Sequence, residues 1–310
     1  MSSGAVAVVG ACNVDLISYV PRLPVEGETL KGTSFEQGFG GKGANQAVQA
    51  RLLGADTIFI SKLGEDSYGK QYRDKLQEYG IKDEFVFSDA KQSTGLAPIA
   101  VDSKGNNSII IIPGANDLLS SEELERSKEA IKNCKVFVAQ LELPLAINQE
   151  ALKLAHSLGV TTILNTAPAP SEPLPEAIYE DIDILCANQP EIEMLTELKA
   201  STREEAEKAA RKIISLGASQ VLLTLGAKGC LLVTKEGEPI YIEGESVDSV
   251  VDTSGAGDSF LGAFAYFYSI GNSMEESMKK ANYVAAQSVT KNGTQSSYCA
   301  RDDLPSAFFE

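Results

Sequence analysis

The sequence predicts an α/β protein in which a mostly parallel sheet is covered by helices and carries a small β-sheet lid. Three observations lead there. From about residue 120 onward, short apolar runs alternate with helical runs, the rhythm of βαβ units whose right-handed crossovers leave the strands parallel. Two glycine-rich turns, at residues 40–43 and 255–257, each run straight into an apolar helical pattern. The stretches 15–39 and 94–112 break the rhythm with partial two-residue alternation and turn residues, and read as a small antiparallel sheet inserted as a lid.

Residues 5–12 (AVAVVGAC) form a buried strand that ends at Asn13 and Asp15, and the C-terminal edge of such strands is where α/β sheets hold ligands. In Gly40–Ala55 (GGKGANQAVQARLLGA), Ala44, Ala47, Val48, Leu52 and Leu53 recur at helical spacing, so the glycines open a helix. Residues 57–63 predict a strand, 67–79 an amphipathic helix, and 94–112 two strands joined by a turn at Ser103–Asn106. The later chain predicts helices at 121–132, 144–158 and 203–216, with strands at 135–141, 160–165, 182–188 and 220–226. Phe260, Leu261, Ala263, Phe264 and Phe267 mark a last helix beginning near Asp258.

With 310 residues the chain is long enough for one large α/β unit with a smaller attachment. Its formal charge of −16 and the lack of a basic stripe argue against a nucleic-acid partner. An anionic ligand must therefore be held locally, by backbone N–H groups, a helix end or a metal ion. Five widely spaced cysteines without a CxxC fit a reducing compartment. The N-terminal run lacks a preceding Lys or Arg, so it does not read as a signal peptide, and no stretch approaches the roughly 20 apolar residues of a membrane span. The expected location is cytoplasmic. His156, the only histidine, stands mid-helix and reads as structural or exposed, which leaves no histidine-based triad or multi-histidine metal site.

The strongest local signal is VDTSGAGDSFLGAFAYF at 251–267. Gly255, Ala256 and Gly257 leave their amides open to an anion at a helix mouth, and Asp258 beside them suits a base that takes a proton from an attacking hydroxyl. The same residues also suit a plain N-cap and a tight turn. No GxxxxGK[ST] and no GxGxxG after the first strand is present, which speaks against a P-loop or a dinucleotide fold. Asn13, Asp15, Gly40, Gly41, Lys42 and Asn45 gather the donors and acceptors a polyhydroxylated ligand needs once water is removed, with Glu142 at a strand end as a further acceptor. Solvated turns would explain several of them equally well. Asn188 and Glu191 flank Pro190 at a helix start, where a carboxylate can hold hydrated magnesium or simply cap the first turn. Thr224, Gly226 and Gly229 line a tight turn over which a nucleotide could lie.

From AVVGACNVDLI through GFGGKGANQA, QLE, NQPEIE, LLTLGAKG and DTSGAGDSF to KNGTQSS, the chain resembles the ribokinase-like (pfkB) family of carbohydrate kinases over nearly its whole length. Two glycine-rich signatures in the right order, about two hundred residues apart, make that resemblance specific. It implies a three-layer α/β/α fold with a lid over approximately 15–39 and 94–112, and ATP-dependent phosphorylation of D-ribose at the 5-hydroxyl. Asp258 would be the base, with Gly255, Ala256 and Gly257 as the anion hole. Asn13, Asp15, Gly41, Lys42, Asn45 and Glu142 would contact ribose. Asn188 and Glu191 would organise Mg2+ and phosphate, and Thr224, Gly226, Gly229 and Asn282 would line the ATP site. The resemblance also implies K+ held near Asp252, Ser254, Ser288, Lys291, Gly293 and Ser297, and a homodimer formed through the lid. Thr166 departs from the family, which more often has proline there. The alternatives are a kinase for another pentose or a nucleoside, and a sugar-binding protein of the same fold without turnover.

Overall fold

The computed structural model of the chain describes residues 4–309, so the first three residues of the N-terminal run lie outside it. In chain order the elements are β1 (Ala5–Val9), β2 (Asn13–Val20), β3 (Ser34–Gly40), α1 (Lys42–Leu53), β4 (Asp56–Gly64), α2 (Ser67–Glu78), β5 (Val86–Asp89), β6 (Gly95–Asp102) and β7 (Asn107–Ile109). There follow α3 (Ser121–Lys132), β8 (Val136–Gln140), α4 (Leu145–Ser157), β9 (Thr161–Asn165), β10 (Ile184–Asn188), α5 (Gln189–Thr196), α6 (Arg203–Ser215), β11 (Gln220–Thr224), β12 (Gly229–Thr234), β13 (Ile240–Glu243), α7 (Ala256–Ser269) and α8 (Met274–Ser288).

Nine strands form one sheet in the order β13-β12-β11-β10-β9-β8-β1-β4-β5. Its strands pair in parallel except at β11–β12 and β12–β13, which are antiparallel. Side-chain alternation sorts residues to two faces and produces three layers. Val6 and Val8 of β1, with Val136 and Val138 of β8, pack under α1, α7 and α8 through Ala47, Phe264 and Ala281. Ala7 and Val9, with Phe137 and Ala139, face α3, α4 and α6 through Leu124, Leu152 and Ala209. Helix entry follows local chemistry: Ser120 with Glu123, Thr202 with Glu205 and Ser273 with Glu276 close reciprocal capping boxes at α3, α6 and α8.

A second sheet, β3-β2-β6-β7, projects from the first. It differs from the antiparallel sheet expected at 15–39 and 94–112, because β2 and β6 pair in parallel from Asn13↔Gly95 to Val20↔Asp102. The reason is topological: β2 continues from β1 and β6 follows β5, so both leave the large sheet at the same edge. The large sheet also holds two elements the periodicity did not reveal, β5 and β13, and helix α8 was not read either.

The strand order puts the site where it is. The chain runs outward through β1, β4 and β5 on one side and through β8, β9, β10 and β11 on the other, so the direction of winding reverses between the neighbours β1 and β8. Carboxyl ends at such a reversal open a crevice. Here they deliver Asn13, after β1, and Glu142, after β8.

Candidate active site

At that crevice Ala11, Asn13, Asn116, Leu141 and Glu142, with Ile111 and Pro113 from the arm after β7, line a cavity of about 220 Å³. Glu142 Oε2 accepts the Lys42 backbone N–H at 2.6 Å, and Glu142 Oε1 faces Asn13 Nδ2 at 3.5 Å. Gly41 makes the turn into α1 with φ 94°, and a Cβ there would lie 2.4 Å from the Ala11 carbonyl, so the backbone passes too close for any side chain. Burial pushes the Glu142 carboxyl up to about 7, despite the pull of Lys42, and pushes Asp15 up to about 6. The site thus carries two desolvated carboxyls whose oxygens can accept from a ligand, with Glu142 about half neutral near neutral pH.

Asn116 organises this wall and was not visible in the sequence. Its carboxamide pairs with both backbone groups of Cys12, Nδ2 to the carbonyl and Oδ1 to the N–H, each at 3.0 Å. Nδ2 also donates to Asn13 Oδ1 at 3.0 Å, which turns the Asn13 NH2 toward Glu142 and the cavity.

Asp258 stands in the first turn of α7, whose N-cap is Gly255 rather than Asp258. The helix therefore begins before the aspartate, which becomes the third helical residue and is buried at 7% exposure. No side chain caps this helix end. The Ala256 N–H turns back to the Thr253 carbonyl at 3.3 Å, while those of Gly257 and Asp258 belong to the first turn, which lacks intrahelical acceptors. A Cβ at Gly257 would meet nothing within 4 Å, so the helix mouth is open on that side. The helix end and its N–H groups suit a negatively charged group arriving there.

The Asp258 carboxylate is gripped from α1: Gln46 Nε2 donates to Oδ1 at 2.8 Å and Asn45 Nδ2 to Oδ2 at 2.9 Å. The Asn45 amide, expected to contact a sugar, is thus engaged with Asp258. Burial alone would lower the pKa of the neighbouring Lys42 ammonium, but Asp258, Glu142 and Glu191 together raise it, so one cation serves three carboxylates. Gln46, Gln140, Asn165 and Gln295 around this grip were all missed, because their partners lie up to 250 residues away in the chain.

The residues expected to handle a nucleotide gather two and three strands from β8, beyond β9. Asn188 and Thr224 face each other in register at the carboxyl ends of β10 and β11, with exposed Gly226 in the turn that follows. Gly229 pairs with Glu243, whose carbonyl accepts Asn282 Nδ2 at 2.8 Å, so the Asn282 amide ties α8 to β13. Asn188 and Glu191 form a reciprocal capping box, and Thr166 adds a hydroxyl to Glu191 Oε2 at 3.3 Å. Burial raises the Glu191 carboxyl, with the Asn188 N–H and Lys42 pulling it back. With its oxygens this engaged, Glu191 fits a metal held through water and phosphate better than a directly bound one. Among the described residues no three acidic, histidine or cysteine side chains converge on a metal position.

The segments 252–254 and 288–297 meet: the Val289 carbonyl accepts from Val251 N and Asp252 N, and Asp252 accepts from Ser254 N and Gly293 N at 2.9 Å each. Burial pushes the Asp252 carboxyl up, but those N–H groups pull it below its ordinary value. Ser288 and Ser297 donate their hydroxyl protons to Ala285 and Thr294 carbonyls, which leaves the hydroxyl oxygens free to accept. Lys291 is exposed, and its ammonium has no place among cation ligands; only its carbonyl could serve. Among these loops the Asp252 carboxylate and the Ser288 and Ser297 hydroxyls are oxygens of the kind a hard cation takes.

Residues 4–301 match the pfkB family carbohydrate kinase. A ribokinase of Mus musculus is 44% identical over 310 residues, covering 99% of this chain and 95% of its own. A deoxyribokinase of Salmonella typhi is 40% identical, covering 94% and 95%. The structure of an Arabidopsis thaliana ribokinase complexed with ribose and ATP superposes with a TM-score of 0.91 at 35% identity, covering 97% of each chain.

The raised carboxyl of Glu142 fixes a sign for stability. Between its ordinary value of 4.5 and about 7, the folded chain binds more protons than the unfolded one, so this group favours folding as pH falls and opposes it as pH rises. Glu142→Gln keeps the acceptor for Lys42 N–H and removes the buried charge. We expect it to be more stable than the parent by roughly 2 kcal/mol above pH 7, with the difference vanishing below about pH 5. Denaturant midpoints across that range measure it, and a difference independent of pH would refute the assignment.

Proposed function

We propose that this chain, which belongs to the pfkB family of carbohydrate kinases, phosphorylates ribose with ATP, that the acceptor is the 5-hydroxyl and that Asp258 takes its proton. The observation that carries this reading is a buried carboxylate in the first turn of α7, beside an uncapped helix end and held by Asn45 and Gln46 of α1, the helix whose first N–H, that of Lys42, meets Glu142 on the cavity wall. In the proposed step the sugar oxygen attacks the terminal phosphorus of ATP as its proton passes to Asp258, and the bond to the leaving ADP oxygen breaks. The N–H groups of Gly257 and Asp258 and the positive end of α7 meet the charge on the phosphoryl oxygens. Asn13, Asp15, Gly41, Lys42, Asn45 and Glu142 hold the sugar, which requires Asp15 and Glu142 to accept from its hydroxyls.

Thr224, Gly226, Gly229 and Asn282 border the nucleotide. Magnesium, when bound with ATP, neutralises phosphate charge, and Asn188 and Glu191 would hold it through water. Potassium would sit between the 252–254 and 288–297 segments, where it would hold the loop leading into the helix mouth. The small sheet is a lid over the sugar that excludes water as a competing acceptor. Its exposed apolar side chains Phe35, at 60%, and Ile110, at 61% exposure, share one face of the sheet and are the surface through which two copies would pair. The location we favour is cytoplasmic, where the five free, buried thiols stay reduced.

Ribose, 2-deoxyribose and a nucleoside, each offered with ATP, magnesium and potassium, test the acceptor. The product expected is ribose 5-phosphate, with turnover reduced at least a thousandfold in Asp258→Asn; parental turnover in that variant removes Asp258 from its role. Exchanging potassium for lithium should lower kcat several-fold, and an unchanged rate would remove the cation from the 252–254 loop. Phe35→Asp combined with Ile110→Asp should convert a dimer to a monomer in sedimentation velocity, whereas a parent that is already monomeric would exclude pairing through the lid.

A further inference from the structure

A carboxylate only accepts hydrogen bonds, so each amide touching Asp258 must present its NH2 there and turn its own oxygen away. Gln46, 1% exposed, therefore aims Oε1 outward, where Gln140 Nε2 donates to it at 2.7 Å. Asn45 likewise aims Oδ1 outward, where Gln295 Nε2 donates at 3.0 Å. The two relays end alike. Gln140 Oε1 and Gln295 Oε1 are both buried and have no donor among the described residues. The backbone presses on the first: a Cβ at Gly10 would lie 2.2 Å from Gln140 Oε1, and one at Gly43 2.9 Å, so the Cα–H groups of two glycines face it.

An unpaired buried carbonyl is costly, and two at matching places ask for a common cause. Apolar side chains of similar length would not remove the orphans but would move them inward, to Gln46 Oε1 and Asn45 Oδ1, next to the amide groups that hold the carboxylate. We propose that Gln140 and Gln295 are positioning residues for the phosphoryl transfer: they lock the amide orientation of Gln46 and Asn45, and through them the plane of the Asp258 carboxylate. Neither touches the reacting atoms. Either inner amide, if it turned over, would set an oxygen against the carboxylate and swing it from the sugar hydroxyl, and misplacement on the order of 1 Å can cost about a hundredfold in rate. The cost of the orphan carbonyls is the cost of that lock. This inference rests on Asp258 as the base.

Gln140→Met fills the same space and removes both the orphan oxygen and the donor. It leaves one unpaired carbonyl, now on Gln46, so the thermal midpoint should stay within a few degrees of the parent. The expected kinetic result is a kcat lowered about tenfold or more with the KM for ribose within about twofold. Gln295→Met should lower kcat to a similar degree and carries the decision if Gln140→Met does not fold. A kcat within twofold of the parent in folded variants overturns the inference, as does a rate loss that only tracks a large fall in thermal midpoint. Asp258→Asn separates the two claims: turnover retained there sinks the base assignment itself. Turnover abolished there but preserved in the methionine variants sinks only the relay.

Discussion

The centre of this molecule is organised around a single negative charge removed from water. Asp258 is buried at the mouth of α7, and a charge in that position persists only where donors, a helix end and a nearby cation meet it. Each of these comes from a different part of the chain: Asn45 and Gln46 from α1, the first-turn amides from α7 itself, and the ammonium from Lys42. The packing of α1 against α7 brings them together. Gly262 of α7 crosses α1 so closely that a Cβ there would stand 2.5 Å from the Gln46 carbonyl. Helix contact and carboxylate grip are one arrangement.

The sheet decides where that arrangement opens to ligands. Reversal of winding between β1 and β8 exposes two carboxyl ends side by side, and the chain leaves them by different routes: into β2 of the small sheet after Cys12, and into α4 after Glu142. Asn13 therefore belongs both to the cavity wall and to the first position of the small sheet, paired with Gly40 and Gly95. Through its contacts with Asn116 and Glu142, Asn13 ties the cavity wall directly to the small sheet.

The electrostatic character of the pocket follows from burial more than from composition. A chain with net charge −16 places Asp15, Glu142, Glu191 and Asp258 around one cleft, with the Lys42 ammonium among them. Desolvation raises the Glu142 carboxyl to about 7 and that of Asp15 to about 6, so part of their population carries a proton near neutral pH. The field there is consequently less negative than four carboxylates suggest, which lets polyphosphate approach a site built from acids.

Much of this was legible in order along the chain. Apolar periodicity marked α1, α3, α4 and α6 and the strands between them nearly to the residue, and glycine-flanked signatures singled out Lys42, Asn45 and Asp258, because local steric and hydrophobic demands act over only a few neighbours. Short edge strands such as β5 and β13 carried too little pattern, and α8 was overlooked although Ser273 and Glu276 spell its capping box. The parallel pairing of β2 with β6, the place of Asn116 against Cys12, and the amide partners of Asp258 depended on contacts between residues about a hundred to 250 positions apart. Glutamine and asparagine are ambiguous in a sequence because either end of the amide can face either way. Only the assembled tertiary structure, by setting a carboxylate that solely accepts at one end, chooses the direction for all of them.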